Sequence, residues 1–291
     1  MQLNFTKMHG IGNDYVYVNC FKNKIEQPEK ISQYVSDRHK GIGADGLILI
    51  APSEVADCQM RIFNADGSEG NMCGNGIRCV AKYVYESGMV QKEELMIETK
   101  SGIRQLFLKI RDDIVEEVAV DMGLARLTPA EIPVITGVQE EVCRNHPIQI
   151  GTTVYYITCV SMGNPHAVIF TEEIEQIDLL QLGPKFENNP IFPERVNTEF
   201  VRVEDAHTIS MRVWERGSGE TMACGTGACA SVVAAVLNGY CPKNEEITVH
   251  LLGGDLKITY REDGRVIMRG TATHVFDGVI DIAEEELKNA G

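Results

Sequence analysis

The sequence lacks the features of several protein classes. It has no run of Lys or Arg, and 42 Asp and Glu against 27 Lys and Arg leave a formal net charge of -15. That charge repels nucleic acids and anionic membranes, so neither is an expected partner. The longest apolar or small stretch, Ala228 to Leu237, is about half of the roughly 20 residues that a membrane helix needs. The N-terminus shows no secretory signal, and we therefore expect a cytoplasmic protein.

The spacings that indicate metal or phosphate sites are also missing. The nine cysteines form no C-x-x-C pair, and the seven histidines show no H-x3-5-H spacing. There is no G-x-x-x-x-G-K and no H-E-x-x-H. We therefore expect neither a metal nor an organic cofactor, and most cysteines are expected to be small buried hydrophobic residues.

The chain is internally duplicated. When the sequence is compared with itself at an offset of 151 residues, matches extend without a gap over about ninety positions. The matches pair Gly12-Asn13 with Gly163-Asn164, Met60 to Phe63 with Met211 to Trp214, Glu69 with Glu220, Cys73-Gly74 with Cys224-Gly225, Gly76 with Gly227, Gly88 with Gly239, and Gly102 with Gly253. This repeat predicts two similar domains. We expect one domain to comprise residues 1–122 plus 272–291 and carry Cys73, and the other to comprise residues 123–271 and carry Cys224.

Each half has the pattern of several strands followed by one helix, which predicts an α/β fold with a mostly antiparallel sheet around a central helix. The helices are predicted over Ile77 to Ser87 and Ala228 to Asn238, each followed by a C-terminal glycine, Gly88 or Gly239. The second helix is small and apolar on every side, which indicates burial. The predicted strands are Tyr15 to Asn19, Leu47 to Ile50, Val154 to Val160, Ala167 to Phe170 and Asp255 to Tyr260.

Cys73 and Cys224 each stand immediately before a helix. The unpaired amides and the dipole at a helix N-terminus favour a thiolate, so we expect both thiols to have a lowered pKa. The glycines after each cysteine would let backbone N–H groups approach a carboxylate or phosphate. The alternative is a tight glycine turn beside an inert thiol. The duplication favours a functional site, because it retains the Cys, both Gly and the helix start together.

Two thiols from related halves suit one kind of reaction. A thiolate can remove a proton from one face of a carbon while a thiol returns a proton to the other face, which inverts a stereocentre. Helix N-termini that hold the adjacent carboxylate would stabilise the developing negative charge. The pattern thus indicates racemisation or epimerisation without a cofactor.

Several motifs resemble those of one family. The stretches are FTKMHGIGNDYV, GIGADG, RIFNADGSEGNMCGNGIRC, SMGNPHAV, VNTEFV and WERGSGETMACGTGACAS. Together they resemble the diaminopimelate epimerases, cofactor-independent enzymes that interconvert LL- and meso-diaminopimelate. The resemblance implies two pseudo-symmetric α/β domains with curled sheets, a homodimer, and a place in lysine and peptidoglycan precursor biosynthesis.

The resemblance also implies the roles of individual residues. Cys73 and Cys224 match the two catalytic cysteines, and His166 and Glu215 match residues that assist them. The positions implied to bind substrate are Asn13, Asn64, Gly74, Asn75, Asn164, Asn197, Glu215, Arg216, Gly225 and Thr226. Two departures are Gly46, where some members carry Gln near the reacting amino group, and Phe276, where some carry a Tyr tied to dimerisation.

Each of these polar residues has a simpler alternative. The asparagines Asn13, Asn164 and Asn197 are also typical turn or cap residues. His166 is equally consistent with a hydrogen-bonded core histidine, and Glu215-Arg216 with an exposed ion pair of little energetic value.

Three functions from different classes remain open. The first is the epimerase. The second is another two-base racemase, acting on proline, hydroxyproline or a larger amino acid. The third is a redox protein in which Cys73 and Cys224 form a reversible disulfide. Asn64, Asn197 and Arg216 favour a substrate with a second polar head group.

Overall fold

The computed structural model describes residues 1–22, 24–139 and 141–289. The chain divides into two compact units, Met1–Val120 with Gly270–Gly291, and Asp121–Arg269. The expected domain boundaries fall after residues 122 and 271, and these divisions fall after residues 120 and 269.

The strands and helices follow one another along the chain in the order β1 (Gln2–Gly10), β2 (Asn13–Asn19), α1 (Pro28–Ser36), β3 (Gly46–Ala51), β4 (Cys58–Asn64), β5 (Glu69–Gly70), α2 (Gly74–Glu86), β6 (Glu94–Thr99), β7 (Gly102–Arg111), β8 (Ile114–Leu124), β9 (His146–Ile150), β10 (Thr153–Ser161), β11 (Pro165–Phe170), α3 (Leu179–Glu187), β12 (Asn197–Asp205), β13 (Thr208–Glu215), β14 (Gly219–Glu220), α4 (Gly225–Leu237), β15 (Glu246–Leu251), β16 (Gly254–Tyr260), β17 (Arg265–Gly270), β18 (Thr273–Asp281) and α5 (Glu284–Asn289). All five predicted strands lie within observed ones.

The two units repeat one pattern of strand pairing. In the first unit β1 is antiparallel to β2, β2 is parallel to β3, β3 is antiparallel to β4, and β4 pairs antiparallel with β5 and parallel with β6. In the second unit β10, β11, β12, β13, β14 and β15 repeat these relations in the same order. An additional antiparallel strand pairs with β1 or β10, namely β18 or β9. The predicted fold class, mostly antiparallel α/β with an internal duplication, is confirmed.

The helices that follow the two cysteines lie at equivalent points of this pattern. α4 packs against strands β10 to β13, β15 and β16, and nearly all of its residues up to Ala235 are buried, so its predicted burial is confirmed. Both helices begin three residues earlier than predicted, because the cysteine itself is the N-cap. Gly88 and Gly239 follow the helix ends with φ of +72° and +77°, the left-handed conformation expected there.

Candidate active site

Cys73 and Cys224 make the same local contact in their respective units. Each is the N-cap of its helix, and each sulfur accepts a hydrogen bond from the backbone N–H three residues later. The distances are 3.3 Å from Gly76 N to Cys73 Sγ and 3.3 Å from Gly227 N to Cys224 Sγ. A sulfur so placed takes the position of the oxygen in an ordinary N-cap. The local fold thus holds each thiol at the positive end of a helix.

The second glycine of each Cys-Gly-x-Gly motif is closely packed. A Cβ at Gly76 would lie 2.6 Å from Ile48 Cδ1, and a Cβ at Gly227 would lie 2.7 Å from Glu199 Oε1. Neither position has room for a side chain unless the neighbour moves. The neighbour of Gly76 is the end of a flexible side chain, whereas the neighbour of Gly227 is a buried carboxylate oxygen.

Polar groups surround Cys73 within the first unit. Its thiol donates to Asn13 Oδ1 at 3.3 Å, and Asn75 Nδ2 approaches the same oxygen at 3.5 Å. The Arg78 guanidinium is fully buried beneath this group and donates to Asn75 Oδ1 at 3.0 Å. The predicted residues Asn13, Gly74 and Asn75 are therefore assembled around Cys73.

Cys224 ends a longer chain of hydrogen bonds in the second unit. Thr226 Oγ1 lies 3.6 Å from Cys224 Sγ and accepts from Asn164 Nδ2 at 3.3 Å. Asn164 Oδ1 lies 3.0 Å from His166 Nε2, and His166 Nδ1 lies 2.7 Å from Glu199 Oε1. These hydrogen bonds thus connect the Cys224 thiol, through three intervening side chains, to the carboxyl group of Glu199, which is fully buried.

Glu215 reaches Cys224 from strand β13. Its carboxyl group accepts from Thr221 Oγ1. Burial raises the pKa of Glu215, although hydrogen-bond interactions with Thr221 and Cys224 each lower it. Arg216 binds a different partner, the Glu194 carbonyl at 2.7 Å. The alternative in which Glu215 and Arg216 form an exposed ion pair with each other is therefore wrong.

The predicted lowering of the cysteine pKa values is wrong for both thiols. Burial raises the pKa of Cys73, although the N–H groups of Gly76 and Asn75, the Tyr15 hydroxyl and the Arg78 charge each lower it. The pKa of Cys224 is raised well above its ordinary value, first by burial and then by the charges of Glu215 and Glu199. The helix amides act in the predicted direction, but desolvation of the charged sulfur outweighs them.

The surroundings of the two thiols have opposite charge. A buried cation, Arg78, lies near Cys73 and favours its thiolate, whereas Glu215 and Glu199 disfavour the thiolate of Cys224. Environments that separate the pKa values of two titratable groups assign one as base and the other as acid. The charges around the two thiols thus act on their pKa values in opposite directions.

Asn197 and Arg216, two of the predicted substrate-binding residues, are joined by a hydrogen bond. Asn197 is buried, its Nδ2 donates to the Pro165 carbonyl at 2.8 Å, and its Oδ1 accepts from Arg216 N at 2.9 Å. Asn197 therefore ties the strand that contains His166 to the turn that contains Arg216. This is partly the turn-stabilising role that the alternative assigned to it.

Asn64 is exposed and bonds within its own turn. Its Nδ2 donates to Ser68 Oγ at 3.0 Å, and its carbonyl accepts from Gly67 N at 2.9 Å. The neighbouring Gly46 has no room for a longer side chain, because a Cβ there would lie 2.2 Å from the Phe63 carbonyl oxygen and 3.0 Å from Tyr15 Cε1. The Tyr15 ring and strand β4 thus border the place where some members carry Gln.

Sequence reasoning missed four residues near these groups. Tyr15 and Arg78 approach Cys73, Glu199 binds His166, and Glu187 binds the WERG turn. A signal existed for Glu199, which is a charged residue directly before the apolar pair Phe200-Val201 in strand β12. The others follow only from tertiary packing.

Cys73 and Cys224 are both free thiols. Cys79 and Cys229 are fully buried within their helices, as expected for packing residues, and burial raises the pKa of Cys79 to about 11. Across residues 1–22, 24–139 and 141–289, no group of three or more His, Cys, Asp or Glu side chains is arranged to hold a metal ion. Within the same ranges no helix has the length and hydrophobicity of a membrane span.

Sequence comparison identifies the family. The model of the family described as diaminopimelate epimerase matches residues 5–128 and 158–275. The chain belongs to the diaminopimelate epimerase family. A relative named diaminopimelate epimerase from Acetivibrio thermocellus is 52% identical over 283 residues, covering 97% of this chain and 100% of the relative. Relatives of the same name from Agathobacter rectalis and Methanococcus maripaludis are also 52% identical, each over 96% of this chain and 100% of the relative.

Solved structures share the fold of this diaminopimelate epimerase family member. A probable proline racemase from Agrobacterium radiobacter K84 has a TM-score of 0.70 at 15% identity, covering 97% of this chain and 93% of that one. A protein of the PhzF family from Bacillus anthracis has a TM-score of 0.67 at 17% identity, covering 97% and 100%. At these identities the similarity shows the fold alone. Family membership and fold together make the chain an isomerase.

Proposed function

We propose that this isomerase interconverts LL- and meso-diaminopimelate without a cofactor, in lysine and peptidoglycan precursor biosynthesis. The observation that carries the proposal is the family match over nearly the whole chain. The paired helix caps at Cys73 and Cys224 support the same reaction, because they supply two thiols in equivalent settings. The proposed location is the cytoplasm, where thiols stay reduced.

The proposed reaction uses one thiol as base and the other as acid. The Cys73 thiolate takes the proton from the α-carbon, and the C–H electron pair delocalises into the adjacent carboxylate. The Cys224 thiol then gives its proton to the opposite face of the same carbon. The product has the inverted centre, and the enzyme is left with a Cys73 thiol and a Cys224 thiolate, which is the state that catalyses the reverse reaction.

The assignment of Cys73 as the resting base is supported by the charges around each sulfur. Arg78 favours the thiolate at Cys73, whereas Glu215 and Glu199 retain the proton on Cys224. The amide groups at the start of α2 and α4, in Gly74-Asn75 and Gly225-Thr226, are proposed to hold the reacting carboxylate. Such donors stabilise the charge that develops on the carboxylate as the α-proton leaves.

The remaining predicted residues are proposed to assist the thiols or to bind substrate. His166 and Glu215 would assist through the contacts described above. Arg216 suits the distal carboxylate, because a planar guanidinium binds a carboxylate through two parallel N–H bonds. Asn13, Asn64, Asn164 and Asn197 are proposed to complete the binding site.

We also propose that the chain forms a homodimer. Strand β18 exposes three apolar side chains, Val275, Phe276 and Val279, at 49%, 44% and 57% of their surfaces. The Phe276 ring packs edge-on against Phe5 with centroids 5.8 Å apart, which holds it in place while leaving much of it accessible. Sedimentation of the wild type and of Phe276→Ser tests this, and a monomeric wild type would contradict it.

The experiment for the function is proton exchange in deuterated water. LL-diaminopimelate is incubated with the protein, and loss of the α-proton signal is followed by proton NMR together with the appearance of the meso form. Proline and alanine are run in parallel as competing substrates. Faster exchange on either of them would retain the two-thiol chemistry and contradict the assignment of diaminopimelate.

A further inference from the structure

The single tryptophan of the chain, Trp214, donates its indole N–H to a buried carboxylate. The distance from Trp214 Nε1 to Glu187 Oε2 is 2.7 Å, and the other carboxylate oxygen accepts from Gly217 N at 3.0 Å. Trp214 and Gly217 are the residues immediately before and after Glu215-Arg216. One carboxylate therefore holds both flanks of this pair.

Glu187 is built into its position rather than lying on the surface. It is the last residue of α3, is only 7% exposed, and also accepts from Arg195 Nη1 at 3.0 Å. Three N–H donors contact the two carboxylate oxygens of Glu187, namely Trp214 at Oε2, and Gly217 and Arg195 at Oε1. Hydrogen bonds to an ionised carboxylate are stronger than neutral ones, so the three contacts form a firm anchor.

The same helix also supplies the surface on which the indole lies. Gly183 precedes Glu187 by one helical turn, so the two residues share a face of α3. A Cβ at Gly183 would lie 2.2 Å from Trp214 Cδ2, which means that the ring lies directly on the helix backbone. α3 thus fixes the indole plane with Gly183 and its N–H with Glu187.

Arg216 depends on this anchor more than Glu215 does. Glu215 ends strand β13, where it pairs with Gly219 and accepts from Thr221. Arg216 lies in the turn beyond the strand, and the next residue, Gly217, has a φ of +80°. Beyond its bonds to Asn197 and the Glu194 carbonyl, the position of Arg216 depends on where Gly217 is held.

We propose that Glu187 is a positioning residue that holds the turn carrying Arg216 in place for recognition of the distal substrate carboxylate. This role rests on the proposed function, since it assumes a substrate with a distal carboxylate. It predicts that loss of the Glu187 anchor weakens substrate binding more than it slows the proton transfers.

Glu187→Gln tests the anchor with little change of shape. A glutamine side chain offers one acceptor oxygen and one NH2 donor group, whereas Trp214, Gly217 and Arg195 all donate hydrogen bonds. The amide oxygen can face either the indole N–H or the Gly217 N–H, and the NH2 group then opposes the donor on the other side, so one flank of Glu215-Arg216 loses its acceptor in either orientation. The indole N–H either loses its acceptor or binds a neutral amide oxygen in place of a carboxylate, and its signal moves in both cases. Because the chain has one tryptophan, one indole signal in a proton–nitrogen NMR spectrum reports this change directly, without turnover.

The expected kinetic result is a KM for diaminopimelate raised about tenfold, with kcat changed less than about threefold, since misplacement by about 1 Å costs up to 10²-fold. Glu204→Gln is the matched control. Glu204 likewise binds an arginine and one further donor, Arg202 and Ser210, in the same unit but at an exposed position. That variant should retain the wild-type KM and indole signal.

A double-mutant cycle separates positioning from general damage to the fold. In Trp214→Phe the indole donor is gone, so the NH2 group introduced by Glu187→Gln no longer has to face an indole N–H. In that background Glu187→Gln should therefore raise KM less than it does in the wild type. Additive effects, a fall in kcat with KM unchanged, or an unmoved indole signal in Glu187→Gln would each overturn the proposal. If the wild type fails to turn over diaminopimelate, the proposed function is wrong and the substrate-binding role with it, while the indole signal still shows whether Glu187 holds the turn.

Discussion

Gly227→Ala should damage the second thiol site, whereas the equivalent Gly76→Ala should be tolerated. A Cβ at position 227 would lie 2.7 Å from Glu199 Oε1 and 3.2 Å from Cys224 Sγ. Glu199 is fully buried and bonded to His166 at 2.7 Å, so its oxygen cannot move away without breaking that contact. A Cβ at position 76 meets the end of a flexible side chain, Ile48 Cδ1 at 2.6 Å.

The stability change follows from two opposing terms. Overpacking a buried site costs about 1–3 kcal/mol, and replacing a helical glycine by alanine recovers about 1 kcal/mol. Gly227→Ala should therefore lose up to about 2 kcal/mol, which lowers Tm by roughly 2–8 °C for a unit of this size. Gly76→Ala should stay closer to the wild-type Tm, because its clash is with the end of the Ile48 side chain, which can shift.

The activity change should be larger than the stability change. The added methyl group pushes Cys224 Sγ and the Glu199–His166 pair, and misplacement of reacting groups by about 1 Å costs up to about 10²-fold in rate. Thermal melts and α-proton exchange of the two variants give the comparison. Equal Tm and equal exchange rates for Gly227→Ala and Gly76→Ala would refute the reasoning, because the two glycines would then tolerate a methyl group equally.

Three further outcomes are expected. Cys73→Ala and Cys224→Ala should each reduce epimerisation by about 10²–10⁴-fold, the usual contribution of a positioned acid or base, and full activity in either would contradict the two-thiol scheme. Glu215→Gln should lower the pKa of Cys224, because the carboxylate charge raises it; the alkylation rate of Cys224, measured by mass spectrometry against pH, should rise at lower pH than in the wild type while Cys73 serves as the unchanged internal reference. Dialysis against EDTA should leave α-proton exchange intact, and a loss restored by added metal would show that a metal takes part.

Much of the architecture was determined by the sequence itself. The repeat of Cys-Gly-x-Gly at a constant offset predicted two equivalent helices, each with a cysteine before it, and both are observed. Glycine after a helix and alternating apolar residues act through local backbone geometry. Such signals need no knowledge of distant residues. For this reason the glycines that follow the two helices, Gly88 and Gly239, and the five strands were predictable.

The environment of each thiol was decided only by the tertiary structure. The helix N-terminus predicted a lowered pKa for Cys73 and Cys224, but the sign depends on burial and on charges brought from other strands, such as Glu215 and Glu199. Desolvation and Coulomb interactions depend on distance in space, and separation along the chain carries no information about them. The same is true of Glu187, the last residue of α3, because its carboxylate contacts Trp214 and Gly217 from a different strand and turn.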